Sequence, residues 1–267
     1  MLYYSTLKRC RVPIITGSAI TRADGDGRLA KLVVDPVDRS WNPRPGRARV
    51  LGADTAAVSY GLIPATELTR LRGCGHVFDE ELGYWRVIRD RMGRTDIAGV
   101  FAAGDGVTVK GYSAAAAEGR AAAIAACADL SLIDQPSAER RLAPLQRRLA
   151  AAARFGRTLD MLFRPRPGLI EAVSDATLVC RCEDVSAGDL RRAVIGGARD
   201  IHEIKRVTRL GMGHCQGRFC SQAVNELLWH ARNCVSSRQA FTPRSPVRPV
   251  AFGVMADTIN HEKEERS

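Results

Sequence analysis

The chain has 267 residues, 45% of them hydrophobic and 26% charged, which is enough to bury one large or two modest cores and excludes a mainly disordered polymer. No stretch approaches the roughly 18 consecutive apolar residues of a membrane span. Met1 to Ile20 carries Lys8, Arg9 and Arg11 without a clear apolar core or cleavage site of a signal peptide, so the expectation is a cytoplasmic protein with no membrane span. Forty Lys and Arg against 29 Asp and Glu give a net charge of +11, which raises nucleic acid as a partner that the arrangement of the arginines has to support or remove.

Residues 1 to about 75 alternate short β-rich runs with turns. Val12 to Ile15, Leu29 to Val34 and Ala48 to Leu51 are apolar or alternating, Gly25-Asp26-Gly27 marks a hairpin, and Ala56 to Tyr60 adds a further strand. A buried strand then ends at Gly104-Asp105 and is followed by a helix from about Ser113 to Ala128. Gln135-Pro136-Ser137 opens a linker with a helix from about Pro144, closed by the Arg164-Pro165-Arg166-Pro167-Gly168 loop. Within it Leu142, Leu145, Leu149, Ala152, Leu159 and Phe163 recur every three to four residues. Arg140, Arg141, Arg147, Arg148, Arg154 and Arg157 then fall on the opposite, solvated face, which removes the main support for a nucleic-acid partner.

Residues 175 to 235 form a cysteine module. Leu178-Val179-Cys180 ends a short strand, and Ser186 with Asp189 three residues on is a capping pattern for a helix to about Ile195, stopped at Gly196-Gly197. Asp200 with Glu203 opens a second helix through about Thr208, and a third runs from near Cys220 to about Ala231. The first two can be drawn as a helix-turn-helix, but such a motif has no need of four cysteines. Beyond 240 the chain is proline-punctuated and charged, and reads as an extended tail. The expected organisation is thus an α/β part at 1–134, a helical linker at 135–174, the module at 175–235 and an extended tail at 236–267.

Of the eight cysteines, Cys180, Cys182, Cys215 and Cys220 form two close pairs, one with a single intervening residue and one with four. Without a signal peptide, this pattern favours metal ligation or plain thiols over disulfides. Two local pairs of soft ligands suit a centre that the fold closes by docking one pair on the other. Structural zinc sites usually pair cysteines across two to four residues, so the one-residue gap favours a [2Fe-2S] centre, with zinc and unrelated thiols as the competing readings. Arg181, Lys205, Arg206, Arg209 and Arg218 lie in or near the ligand loops, where they can offset the negative charge of such a centre. Cys10, Cys74, Cys127 and Cys234 show no paired spacing, and His214 beside Cys215 reads as a loop histidine, with donation to a cluster sulfur as the competing reading.

The stretch from Val179-Cys-Arg-Cys-Glu183 to Gly213-His-Cys-Gln-Gly-Arg-Phe-Cys220 resembles the [2Fe-2S] domain of the bacterioferritin-associated ferredoxin type. It is similar in particular to the form fused to FAD-dependent oxidoreductase subunits, among them those of opine oxidases, hydrogen cyanide synthase and amino-acid dehydrogenases. The likeness continues through Phe163-Arg-Pro-Arg-Pro-Gly168 and Ser245-Pro-Val-Arg-Pro249. It implies that Cys180, Cys182, Cys215 and Cys220 bind iron.

Thr95-Asp-Ile-Ala-Gly-Val-Phe-Ala-Ala-Gly-Asp105 resembles the late FAD-contact motif of flavoproteins with two dinucleotide-binding domains. A carboxylate there can accept hydrogen bonds from ribityl hydroxyls, and a glycine lets the backbone come close. Asp54 through Tyr60-Gly-Leu-Ile-Pro64 to Glu67-Leu68 resembles the companion segment, so the likeness implies cofactor contacts at Gly61, Pro64, Gly104 and Asp105. The implied fold is α/β, the C-terminal part of such a flavoprotein, with a partial FAD/NAD(P)-binding domain at 1–134, joined to a small, mainly helical [2Fe-2S] domain.

One part of the family pattern is missing. The Gly-x-Gly-x-x-Gly loop that cradles the FAD pyrophosphate occurs nowhere in the sequence, so independent FAD binding is not expected. The expectation is therefore an N-terminally truncated subunit of a flavin-dependent oxidoreductase, working with flavoprotein partner subunits on a small-molecule substrate with an amino-acid or opine C–N bond. The competing reading is a stand-alone iron-sulfur electron-transfer or redox-sensing protein.

Overall fold

A computed structural model of the chain describes residues 2–44, 46–230 and 238–256. The described residues within 1–60 and 165–173 form one compact unit, and those within 61–164 and 174–256 form a second.

The first unit opens with helix α1 (Leu2–Arg9), followed by strands β1 (Ser18–Asp26), β2 (Arg28–Pro36) and β3 (Arg49–Gly52). They form an antiparallel sheet in the order β1-β2-β3, and Leu32, Val33 and Val34 of the central strand are buried. Gly25-Asp26-Gly27 does form the hairpin, but its first arm is the polar stretch from Ser18, not Val12 to Ile15. Pro13 has no N–H to give a ladder, and Val12 and Ile14 remain exposed. Ala56 to Tyr60 likewise forms no strand.

The second unit begins with helix α2 (Glu67–Leu71) and the hairpin of β4 (His76–Asp79) and β5 (Tyr84–Val87). The segment before Gly104 makes isolated bridges at Thr95 and Phe101 in place of a full strand. Its amides turn inward: Thr95 N–H bonds the Val100 carbonyl at 3.0 Å, and Ala102 N–H bonds that of Gly93 at 2.8 Å. A 3₁₀ turn, Gly104–Gly106, leads into helix α3 (Tyr112–Asp129).

Helix α4 (Gln135–Phe163) starts well before Pro144, which lies inside it. Asp134 supplies the cap, its carboxylate accepting from Ser137 N–H at 2.9 Å, with Pro136 in the first turn where no amide partner is needed. Ala138, Leu142 and Leu145 are buried, and Leu142 and Leu145 pack on Ala117 and Ala121 of α3. Arg140, Arg141, Arg147, Arg148, Arg154 and Arg157 are exposed. The short helix α5 (Pro167–Glu171) occupies the proline-rich loop and belongs to the first unit.

The cysteine module holds strands β6 (Leu178–Cys180) and β7 (Val185–Ser186) and helices α6 (Ala187–Ile195), α7 (Ile201–Thr208) and α8 (Ser221–His230). Both capping patterns are present: the Ser186–Asp189 box opens α6, and Asp200 accepts from His202 N–H at 2.8 Å and Glu203 N–H at 2.7 Å to open α7. Ile201, Ile204, Leu210 and Val224 are fully buried and make a core with Cys180, Cys220 and Phe241. Ala231, Cys234 and His261 lie outside the described residues.

Candidate metal centre and flavin-side turn

The fold brings all four paired cysteines into one neighbourhood. Cys180 ends β6, Cys182 follows in the turn toward β7, Cys215 sits in the glycine-rich loop after α7, and Cys220 immediately precedes α8. Cys180, Cys215 and Cys220 are buried and Cys182 is half-buried. The thiols meet across the two loops, Cys182 hydrogen-bonded to Cys215 and Cys180 to Cys220.

The loops are shaped for that approach. A methyl group on Gly213 would stand 2.3 Å from Cys182 Cβ, so only glycine lets the second loop close on the first. Gly211 and Gly217, both at positive φ, flank the ring of Phe241; a Cβ at either would come within 2.9 Å of the ring, and at Gly217 within 2.3 Å. The tail therefore does not merely trail away. Phe241 is 7% exposed, and the stretch after it is tied to the loop by Gln216 Nε2, which donates to the Pro246 carbonyl at 2.8 Å, and by Arg218, which donates to that of Val247.

The electrostatics distinguish the thiols. Burial pushes Cys220 well up, with the neighbouring Cys180 adding to the effect. The hydrogen bond to Cys215 and then burial raise Cys182. Burial also opposes ionisation of Cys215, but the amide of Phe219, the Cys182 thiol and the amides of Gly217 and Arg218 outweigh it and lower the thiol below its ordinary value. Three backbone N–H groups converging on one sulfur stabilise a thiolate, which is the ligand form. Among the described residues, no group of three or more His, Cys, Asp or Glu side chains is disposed around a single metal ion. A binuclear centre makes a different demand, because each of its two irons takes two of the four thiolates. A set of four thiols, three of them buried and one lined by backbone amides, fits such a group.

The neighbouring cations are less available than the sequence implied. Arg209 pairs with Glu183 at 2.8 Å, Arg218 with Glu67 at 2.9 Å and Arg206 with Glu203 at 3.7 Å, while Lys205 lies over the Phe241 ring at 5.4 Å. His214 Nε2 stands 3.9 Å from Cys182 Sγ.

The flavin-side residues also come together. Ala65 N–H donates to the Asp105 carbonyl at 2.9 Å, fastening the segment that contains Gly61 and Pro64 to the Gly104-Asp105 turn. Pro64 and Gly104 are buried, and Gly61 and Asp105 are exposed. Behind the turn, Glu118 of α3 accepts from Gly104 N–H at 2.8 Å through Oε2 and from Arg89 Nη2 at 2.8 Å through Oε1. The Asp105 carboxylate makes no side-chain hydrogen bond among the described residues, and the buried Thr108 Oγ1 nearby has no partner among them. An exposed carboxylate and, three residues on, a hydroxyl without a partner among the described residues, on a turn braced from behind, fit a hydroxyl-bearing ligand.

The turn and the cysteine module share one compact unit, in which the module and the stretch after it touch α2 and hairpin β4–β5. Arg238 lies between the rings of Phe78 (4.4 Å) and Trp229 (4.8 Å), Gln222 donates to the Gly83 carbonyl, and Arg70 donates to that of Phe241 at 3.3 Å. Hairpin β4–β5 is therefore the seat of the module. Sequence reading placed Glu67 in the companion segment without its partner, and gave no role to Glu118 or Phe241, whose partners lie far along the chain; the glycines at 211 and 217 were the one local sign that something bulky had to fit.

Comparison with known proteins agrees with this arrangement. Residues 178–230 match the family described as the BFD-like [2Fe-2S] binding domain. The chain is 37% identical over 213 residues to an opine oxidase subunit of Agrobacterium tumefaciens, a match covering 78% of this chain and 42% of that protein. It is 34% identical over 248 residues to the HcnB subunit of hydrogen cyanide synthase from Pseudomonas aeruginosa, covering 92% of this chain and 53% of that one. The chain thus spans about half the length of the curated relatives it matches. Its fold matches the crystal structure of L-proline dehydrogenase from P. horikoshii with a TM-score of 0.66 at 21% identity, over 95% of this chain and 47% of that chain. The chain therefore carries a BFD-like [2Fe-2S] domain joined to an α/β segment of the fold found in that dehydrogenase.

Proposed function

We propose that this chain is part of a subunit of a flavin-dependent oxidoreductase that acts on amino-acid or opine-type C–N bonds in the cytoplasm, with flavoprotein partner subunits completing the enzyme. The observation that carries the reading is the meeting of four thiols from two distant loops, in the same compact unit as the Gly104-Asp105 turn. Cys180, Cys182, Cys215 and Cys220 would hold the [2Fe-2S] cluster, which supplies a one-electron centre when bound. Gly61, Pro64, Gly104 and Asp105 would contribute to the flavin site, where FAD supplies two-electron chemistry. Three amides favour ionisation of Cys215, Gly213 lets the loops close, and Phe241 packs against one side of the loop. The substrate class rests on the names of the relatives, opine oxidase among them.

The test is the purified chain under anaerobic conditions. About two iron and two acid-labile sulfide per chain are expected, the stoichiometry of a [2Fe-2S] centre, with loss of both on Cys215→Ser. Zinc in their place would overturn the reading. Co-purification with a flavoprotein separates part of a larger enzyme from a stand-alone iron-sulfur protein.

A further inference from the structure

Arg218 lies between Cys215 and Cys220, and its own N–H bonds the Cys215 carbonyl at 3.2 Å. Its side chain, only 19% exposed, leaves the loop in two directions: Nε donates to Glu67 Oε1 at 2.9 Å, and Nη2 donates to the Val247 carbonyl. Glu67 is the first residue of α2, and just ahead of it Ala65 is bonded to Asp105. A continuous run of contacts thus leads from the thiol loop through Arg218 and Glu67 to the Gly104-Asp105 turn. The other contacts between module and hairpin, through Gln222 and Arg238, come from outside the 215–220 loop.

We propose that Arg218 is a positioning residue which, through its ion pair with Glu67, holds the 215–220 loop against the flavin-side segment and sets the charge balance beside the cluster. The inference rests on the functional reading above and adds to it the residue that couples the two sites. The pair is largely withdrawn from water, so neither charge is fully screened. Removing the Glu67 carboxylate leaves the guanidinium of Arg218, two residues before Cys220, without its counter-charge, which favours the more negative, reduced cluster. Removing the guanidinium has the opposite effect. Lysine at 218 keeps the charge but cannot reach both Glu67 and Val247 with a planar fork.

The experiment uses the full chain loaded with iron and sulfide, as wild type, Glu67→Gln, Arg218→Gln and Arg218→Lys. Metal content, midpoint potential by spectroscopic redox titration, and amide hydrogen exchange over 213–220 are measured on each. We expect a higher potential for Glu67→Gln and a lower one for Arg218→Gln. Arg218→Lys should stay near the wild-type potential while its loop amides exchange faster. Should Arg218→Gln fail to fold, Glu67→Gln, altered outside the loop, decides the matter alone. Unchanged potentials and exchange in loaded variants overturn this inference and leave the functional reading standing. A wild-type chain that binds no iron overturns both.

Discussion

Glu118 holds the amide of Gly104 at 2.8 Å from a position on α3 that is almost wholly buried. Its second oxygen takes Arg89 at the same distance, and Lys110 stands 3.8 Å away. One carboxylate therefore fixes the turn that presents Asp105 and anchors it to the helix behind. Two cations and an amide around one buried acid satisfy the condition under which a buried charge is tolerated, namely pairing together with hydrogen bonding.

Replacing Glu118 with alanine should cost about 3–5 kcal/mol, the range for removing one partner of a buried ion pair. It takes the acceptor from Arg89 Nη2 and the Gly104 amide together. Glu118→Gln should cost less, since the amide oxygen can still receive Gly104 N–H. Urea denaturation followed by circular dichroism reads both, and equal losses in the two variants would contradict this account.

Gly213→Ala should weaken closure of the cysteine loops while leaving the rest of the chain folded. The added methyl meets Cys182 Cβ, which is carried on the backbone and has no free rotor to move aside. Overpacking of this kind costs about 1–3 kcal/mol. Iron content after aerobic purification should drop well below wild type, with the far-ultraviolet spectrum unchanged.

Much of the cysteine module is legible in the sequence because its signals are local. The Ser186–Asp189 box, the Asp200 cap and the glycine stops each specify their own helix, and α6 and α7 span the residues those signals mark. The flavin-side half is harder to read for the opposite reason. Pro13 disqualifies a run that looks apolar enough for a strand, while the polar stretch from Ser18 pairs because β2 is there to receive it. Helix α4 begins at an Asp134 cap that is unremarkable in isolation. Glu67 and Phe241 act on loops about 150 and 25 to 30 residues away in sequence, a distance that no periodicity encodes.

Stability should fall on mild acidification, through His76. Its Nδ1 lies 2.8 Å from the Cys74 carbonyl and its Nε2 2.9 Å from Thr69 Oγ1, and burial first, with Arg70 adding, holds its pKa below the ordinary 6.5. The unfolded chain then takes up a proton near pH 6.5 that the folded chain refuses. The stabilisation is complete above that pH and is lost as pH falls from 6.5 toward the folded pKa. Thermal melts of wild type and His76→Gln between pH 7.5 and 5 should show the steeper decline in wild type; parallel curves would rule the effect out.

The cap of α7 offers a milder test. Asp200→Ala removes the acceptor for two first-turn amides and should cost about 1 kcal/mol, within the usual range for a lost N-cap. Asp200→Asn, which keeps the acceptor, should be close to neutral. Because α7 carries the fully buried Ile201 and Ile204, the loss should appear as lower global stability of the module and not as local fraying, in a denaturation curve monitored at 222 nm.

Phe241→Ala should be the most damaging single change in the tail. The ring fills the space between Gly211 and Gly217 and belongs to the same core as Cys180 and Cys220, so its removal opens a cavity directly beneath the cysteine loop. Truncation of a buried phenylalanine costs about 3–5 kcal/mol. Phe241→Leu should recover part of that, because it restores apolar volume without the flat face that two glycines accommodate. If the loop depends on this packing, cluster loss on warming should follow the order wild type, Phe241→Leu, Phe241→Ala, with alanine the fastest. Identical rates in all three would show that residues 238–248 only lie over the loop and do not support it.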